Sequence, residues 1–147
     1  MGILPAMTIL GVPLAQVVLA GLIGAAAMAL TTFFFNAIRV PVVDMGRLIA
    51  TKILRYHSHG TRLGLVLHVV NGVVLALIYA LIKGFLPGPQ VVQGLIYGLL
   101  LWLFMMLIVL PWMGDGFFGR RTNPQMIPSA LFVHLVYGLI LGLGVQA

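Results

Sequence analysis

The sequence predicts an all-α fold: a bundle of four membrane-crossing helices, with a fifth, amphipathic helix lying along the membrane surface. Three observations predict it. Of the 147 residues, 62% are hydrophobic and only 7% are charged, against about 25% charged in a soluble domain, so most of this chain has too few charges to face water. The apolar residues gather into four stretches, about 13–35, 62–85, 90–111 and 127–146, each near the roughly 20 residues a helix needs to cross a bilayer. The basic residues sit beside these stretches rather than on the face of a soluble domain.

The first span follows Pro13 and carries small residues four apart, Gly21, Ala25 and Ala29. Helices in lipid gain little from burying apolar surface, so close backbone approach over small residues supplies much of their packing. The connection after it holds "PVVDMGRLIATKILRY", residues 41–56. Wound as a helix, this puts Asp44, Arg47, Thr51, Lys52 and Arg55 on one face and Met45, Leu48, Ile49, Ile53 and Tyr56 on the other. Pro41 suits a first turn and Asp44 the positive end of the helix dipole. An interfacial helix is expected there; a solvated connecting helix is the rival.

The second span has the stripe Gly64, His68, Gly72, Ala76 and Ala80, and ends on Lys83, whose stem can carry its ammonium to the interface. "LPGPQ" at 86–90 then reads as a tight hairpin into the third span, which carries Gly94 and Gly98. Pro111 and Pro128 fall at span edges, bracketing "PWMGDGFFGRRTNP" (111–124). The fourth span repeats the stripe with Ala130, His134, Gly138 and Gly142.

Charge sets the orientation. Arg39, Arg47, Lys52, Arg55 and Arg62 flank the first connection, Arg120 and Arg121 lie in the third, and only Lys83 is on the other side. Seven against one places the first and third connections in the cytoplasm and both termini outside it, in the inner membrane of a prokaryote. The net charge of +6 is then a matter of topology, and no nucleic-acid partner is expected. Arg47, Lys52, Arg55, Arg120 and Arg121 are the residues expected to meet anionic lipid head groups or a partner subunit. The start, "MGILPAMTIL", lacks a basic leader region, and Ala6 stands where an N-myristoylation signal needs Ser or Thr, so the N-terminus is expected to be retained.

Shifting the chain by 66 residues lays Gly64, His68 and Gly72 on Ala130, His134 and Gly138. Shifting it by 74 lays "QVV" at 16–18 on "QVV" at 90–92, and Gly24 on Gly98. A parallel duplication of a two-helix unit explains both, with chance likeness among Leu-Val-Gly segments as its rival. A basic interfacial segment, "GLVLHVVNG", a Gly-rich third helix and a closing "HLVYG" together resemble a family of small four-span bacterial and archaeal membrane proteins of unknown function. The resemblance covers most of the chain and implies a four-helix fold without an activity.

His68 and His134 each enter a span about six residues from the cytoplasmic side, roughly 9 Å deep at 1.5 Å per residue. Equal depth on parallel helices is what two axial ligands of one haem b need, with Gly72 and Gly138 leaving room for the macrocycle. By analogy of site, the pair resembles the ligands of b-type cytochromes. A bacteriochlorophyll magnesium would suit the same pattern. The competing reading is interhelical hydrogen bonding, with Asn71, Thr31, Thr32 or Tyr137 as partners. His57 and His59 form an H-x-H pair that could begin a copper or zinc site but would leave it incomplete.

Other chemistry is scarce. There is no cysteine, and Asp44 and Asp115 are the two carboxylates, both beside connections rather than mid-span, where coupled transporters keep their ionisable groups. No nucleophile, base and acid set or phosphate loop can be drawn, so an enzyme is not expected. The expected function is a non-catalytic accessory or scaffold subunit of a larger respiratory or photosynthetic membrane complex. The alternative is a small electron carrier holding haem through His68 and His134.

Overall fold

The computed structural model describes residues 7–43, 60–121 and 123–146. Four long helices dominate them: α1 (Leu14–Ala37), α2 (Gly60–Ile82), α3 (Gln90–Phe104) and α4 (Met126–Gly144). Four stretches are long and apolar enough to cross a membrane: Leu14–Ala37, Arg62–Phe85, Gln90–Trp112 and Met126–Gly144. They fall close to the four expected spans. The interfacial helix expected over 41–56 lies outside the described residues from Asp44 onward, and Pro41, Val42 and Val43 are not helical.

Helix α1 packs against α2 and α4, and α4 packs against α3, so the neighbours run α2, α1, α4, α3. Two seams explain this order. On the first, a Cβ added to Gly72 would lie 2.7 Å from the Ala25 Cβ, and one on Gly21 would lie 2.9 Å from the Ala76 Cβ. On the second, a Cβ on Gly94 would strike the Gly138 carbonyl and lie 2.7 Å from the Gly142 Cα. Only glycine permits that approach of main chain to main chain. The ring closes between α2 and α3 through side chains: Tyr79 and Tyr97 pack with centroids 5.1 Å apart, and the Tyr97 hydroxyl donates to the Leu75 carbonyl at 2.8 Å.

Hydrogen bonds fasten the end of the bundle where α2 turns into α3. A 3-10 turn over Lys83–Phe85 leads to Gly88, whose φ of 88° makes the turn, and Gln93 Nε2 donates to the carbonyls of Leu86 and Gly88, both at 3.0 Å. Gln16 donates to the Gly144 carbonyl and Lys83 to that of Val145, both at 2.8 Å. These are the orphan carbonyls at the C-terminal end of α4, where a cation also meets the negative end of the dipole.

Three local features were not expected from the sequence. A small antiparallel hairpin pairs Thr8 with Pro13 and Ile9 with Val12, turning at Leu10 and Gly11, which both have positive φ. It seats Val12 in the core, fully buried. A π-helical turn over Met105–Val109 precedes Pro111, and the helix runs on through Trp112. Proline cannot donate and crowds the carbonyl four residues back, so a widened turn lets the helix pass it. Finally, α1 ends with Arg39 at φ 61° and Val40 N–H bonded to the Phe35 carbonyl, a left-handed cap usually given to glycine.

Candidate functional site

A cavity of about 390 Å³ opens between the helices at the end of the bundle opposite the hairpin turn, the end that carries the first and third connections. All four helices wall it. Helix α1 gives Met28, Thr32 and Asn36, and α2 gives Arg62, His68 and Asn71. From α3 comes Leu101, from the π-turn after it Met105, and from α4 Val133, His134 and Tyr137. Val42 and Val43 close over it from the first connection, held there as Ser129 Oγ donates to the Pro41 carbonyl.

Both histidines line this cavity. Their hydrogen bonds differ. His68 Nε2 lies 3.1 Å from the Ala25 carbonyl oxygen, across the seam on α1. His134 Nδ1 lies 2.7 Å from the Ala130 carbonyl, one turn back on its own helix. A carbonyl only accepts, so each of these nitrogens carries the proton. Of the expected partners, Thr31 donates to the Ala27 carbonyl at 2.8 Å and Tyr137 to that of Gly72 at 2.5 Å, while Thr32 and Asn71 line the cavity with the histidines. For His134 the expected bond to a neighbouring helix is corrected to one within α4. The α3 backbone presses on this turn of α4, for a Cβ on Gly98 would strike the His134 carbonyl.

Gly72 lines the cavity, but the hydrogen in place of its side chain faces Ala25. Gly138 lies in the α3–α4 seam against Gly94 and Gly98. Both therefore serve helix contact where room for a macrocycle was expected. Arg120 and Arg121 are exposed on the third connection, with the Arg121 stem over Gly116. His57, His59, Arg47, Lys52 and Arg55 lie outside the described residues.

The sequence did not signal one polar group. Trp102 Nε1 is buried without a hydrogen-bond partner, its ring set edge-on to Phe118 at 6.0 Å between centroids. Phe118 reaches it from a left-handed position, φ 54°, which no residue pattern announces.

No curated protein and no solved structure matches the chain. A family model matches it over residues 13–147, a stretch that takes in all four helices and every residue of the cavity. The chain belongs to that family, DUF6789, a family of unknown function.

Proposed function

We propose that this protein is a non-catalytic subunit of the prokaryotic inner membrane that packs against a larger assembly of the respiratory or photosynthetic kind. One observation carries the reading: several polar side chains within the helices spend their hydrogen bonds on main-chain carbonyls of other helices. Gln16, His68, Tyr97 and Tyr137 each reach a carbonyl of another helix, and Lys83 reaches the one that follows α4. Groups used this way hold helices at fixed spacing. Outward, the helices turn large apolar residues such as Leu30 and Phe33 on α1, Val70 on α2, Phe104 on α3 and Phe132 on α4. Lipid or another subunit's helices can cover such faces equally well.

The charge asymmetry sets the cavity end toward the cytoplasm and both termini outside. Duplication of a two-helix unit fits the seams, since Gly72 meets Gly21 and Ala25 much as Gly138 meets Gly94 and Gly98. Gentle detergent extraction from the native membrane followed by native electrophoresis tests the subunit reading. The protein is expected in a band far above its own 15.8 kDa. A free monomer as the sole species would overturn it.

The haem-carrier reading keeps one supporting observation, two imidazoles on a shared cavity. Haem ligation would have to use Nδ1 of His68, because Nε2 is bonded to Ala25. The same electrophoretic band, inspected for a Soret absorption, decides between the two.

A further inference from the structure

The hydrogen-bonding character of the cavity narrows what can enter it. His68 and His134 have each given their one N–H to a main-chain carbonyl. In a neutral ring the other nitrogen, Nδ1 of His68 and Nε2 of His134, then carries a lone pair and can only accept. The Tyr137 hydroxyl, spent on the Gly72 carbonyl, likewise has only lone pairs to offer. Trp102 Nε1 is the single side-chain nitrogen or oxygen sealed off without a partner among the described residues, so the spare imidazole nitrogens are not sealed inside protein. The two imidazoles thus bring acceptors to a cavity that Thr32, Asn36 and Asn71 also line, and a donor is what complements the rings.

That donor is not a cation. Arg62 lines the cavity and, among the described residues, no carboxylate does. Nor is it wholly polar, because Met28, Leu75, Leu101, Met105 and Val133 make up much of the wall. Two lining residues, Phe33 on α1 and Leu65 on α2, are 73% and 56% exposed on the outside of the bundle. The cavity therefore has a greasy exit between α1 and α2, where an apolar tail can leave. Its volume lies at the lower end of the roughly 300–1,000 Å³ of small-molecule sites, enough for a one- or two-ring head without the tail.

We propose that this cavity binds a neutral amphiphile whose head-group hydroxyls donate to His68 and His134, the matching chemistry being an isoprenoid quinol. A quinol offers two hydroxyls on a flat ring and an apolar tail. The quinone of the same skeleton offers carbonyl oxygens instead, which set lone pair against lone pair at both imidazoles. At the two imidazoles, therefore, the reduced form is the one favoured. This inference is independent of whether the protein docks onto a larger assembly.

The test is equilibrium binding to the purified protein in detergent, under anaerobic conditions, of a decyl-tailed benzoquinol and of its quinone. The quinol is expected to bind at least about ten-fold tighter, the worth of roughly one net hydrogen bond. Ala29→Phe fills the cavity from the α1 wall with both imidazoles retained, and should abolish quinol binding. His68→Phe and His134→Phe should each weaken it by about ten-fold and leave quinone binding little changed. Equal affinity for the two redox forms, or quinol binding that survives Ala29→Phe, overturns the proposal. Should a histidine variant fail to fold, the comparison of quinol with quinone on the unaltered protein still decides.

Discussion

Tyr137 ties three helices with one side chain. It stands on α4, its ring lies where a Cβ on Gly24 of α1 would be, 2.7 Å from Cδ2, and its hydroxyl reaches the Gly72 carbonyl of α2. The ring's bulk and the hydroxyl's bond are separable. Tyr137→Phe keeps the ring and should cost about 1 kcal/mol or less, in line with side-chain hydrogen bonds between membrane helices. Tyr137→Ala empties a site that is 1% exposed and should cost about 3–5 kcal/mol. Unfolding in mixed micelles measures both; equal losses would show that the hydroxyl, not the ring, holds the helices. At this scale the sequence was partly legible. His68 and His134 stood out because an imidazole in an apolar run is conspicuous. Their partners did not, because a main-chain carbonyl looks the same under every residue, and which one comes within reach depends on helix rotation.

Between elements, the glycine stripes were readable and their register was not. "QVV" laid the first span on the third at 74 residues, yet Gly94 and Gly98, which meet Gly138, stand 73 residues after Gly21 and Ala25, which meet Gly72. One residue turns a helix by about 100°, so a match of letters and a match of faces can differ by that step. Gly94→Ala tests the tighter seam. Its new methyl would strike main-chain atoms of Gly138 and Gly142, which cannot rotate aside, so α3 and α4 must separate at a cost of about 1–3 kcal/mol. Gly84→Ala, with nothing within 4 Å of the new Cβ, is the control and should be close to neutral. A Gly94→Ala protein as stable as the control would mean that the seam is looser than described. The π-turn was hidden for a related reason: Pro111 marks where a helix is disturbed, not whether it stops or widens.

For the whole molecule, four helices and their order along the chain followed from hydropathy alone. The cavity did not, because it exists only where all four splay apart and no single stripe encodes it. Sidedness rests on the seven-to-one division of Lys and Arg. The chain has no cysteine, so single substitutions Gly2→Cys and Ala147→Cys give unique labels. Both should react with an impermeant maleimide added outside intact spheroplasts. Reaction only after the cytoplasm is opened would invert the topology and turn the cavity outward.

The bonds from Gln16 and Lys83 into the last carbonyls of α4 have a mechanical consequence. With Gln93 holding the α2–α3 turn, they clamp two corners, α1–α4 and α2–α3, and the α2–α4 diagonal at one end. At the far end the helices part around empty volume, bridged by the Ser129 bond to Pro41. A body built this way is stiff at its root and compliant at its tips, like forceps. Thermal bending accumulates toward the mouth, so the same molecule can hold a fixed outer shape and still spread its tips to admit a guest.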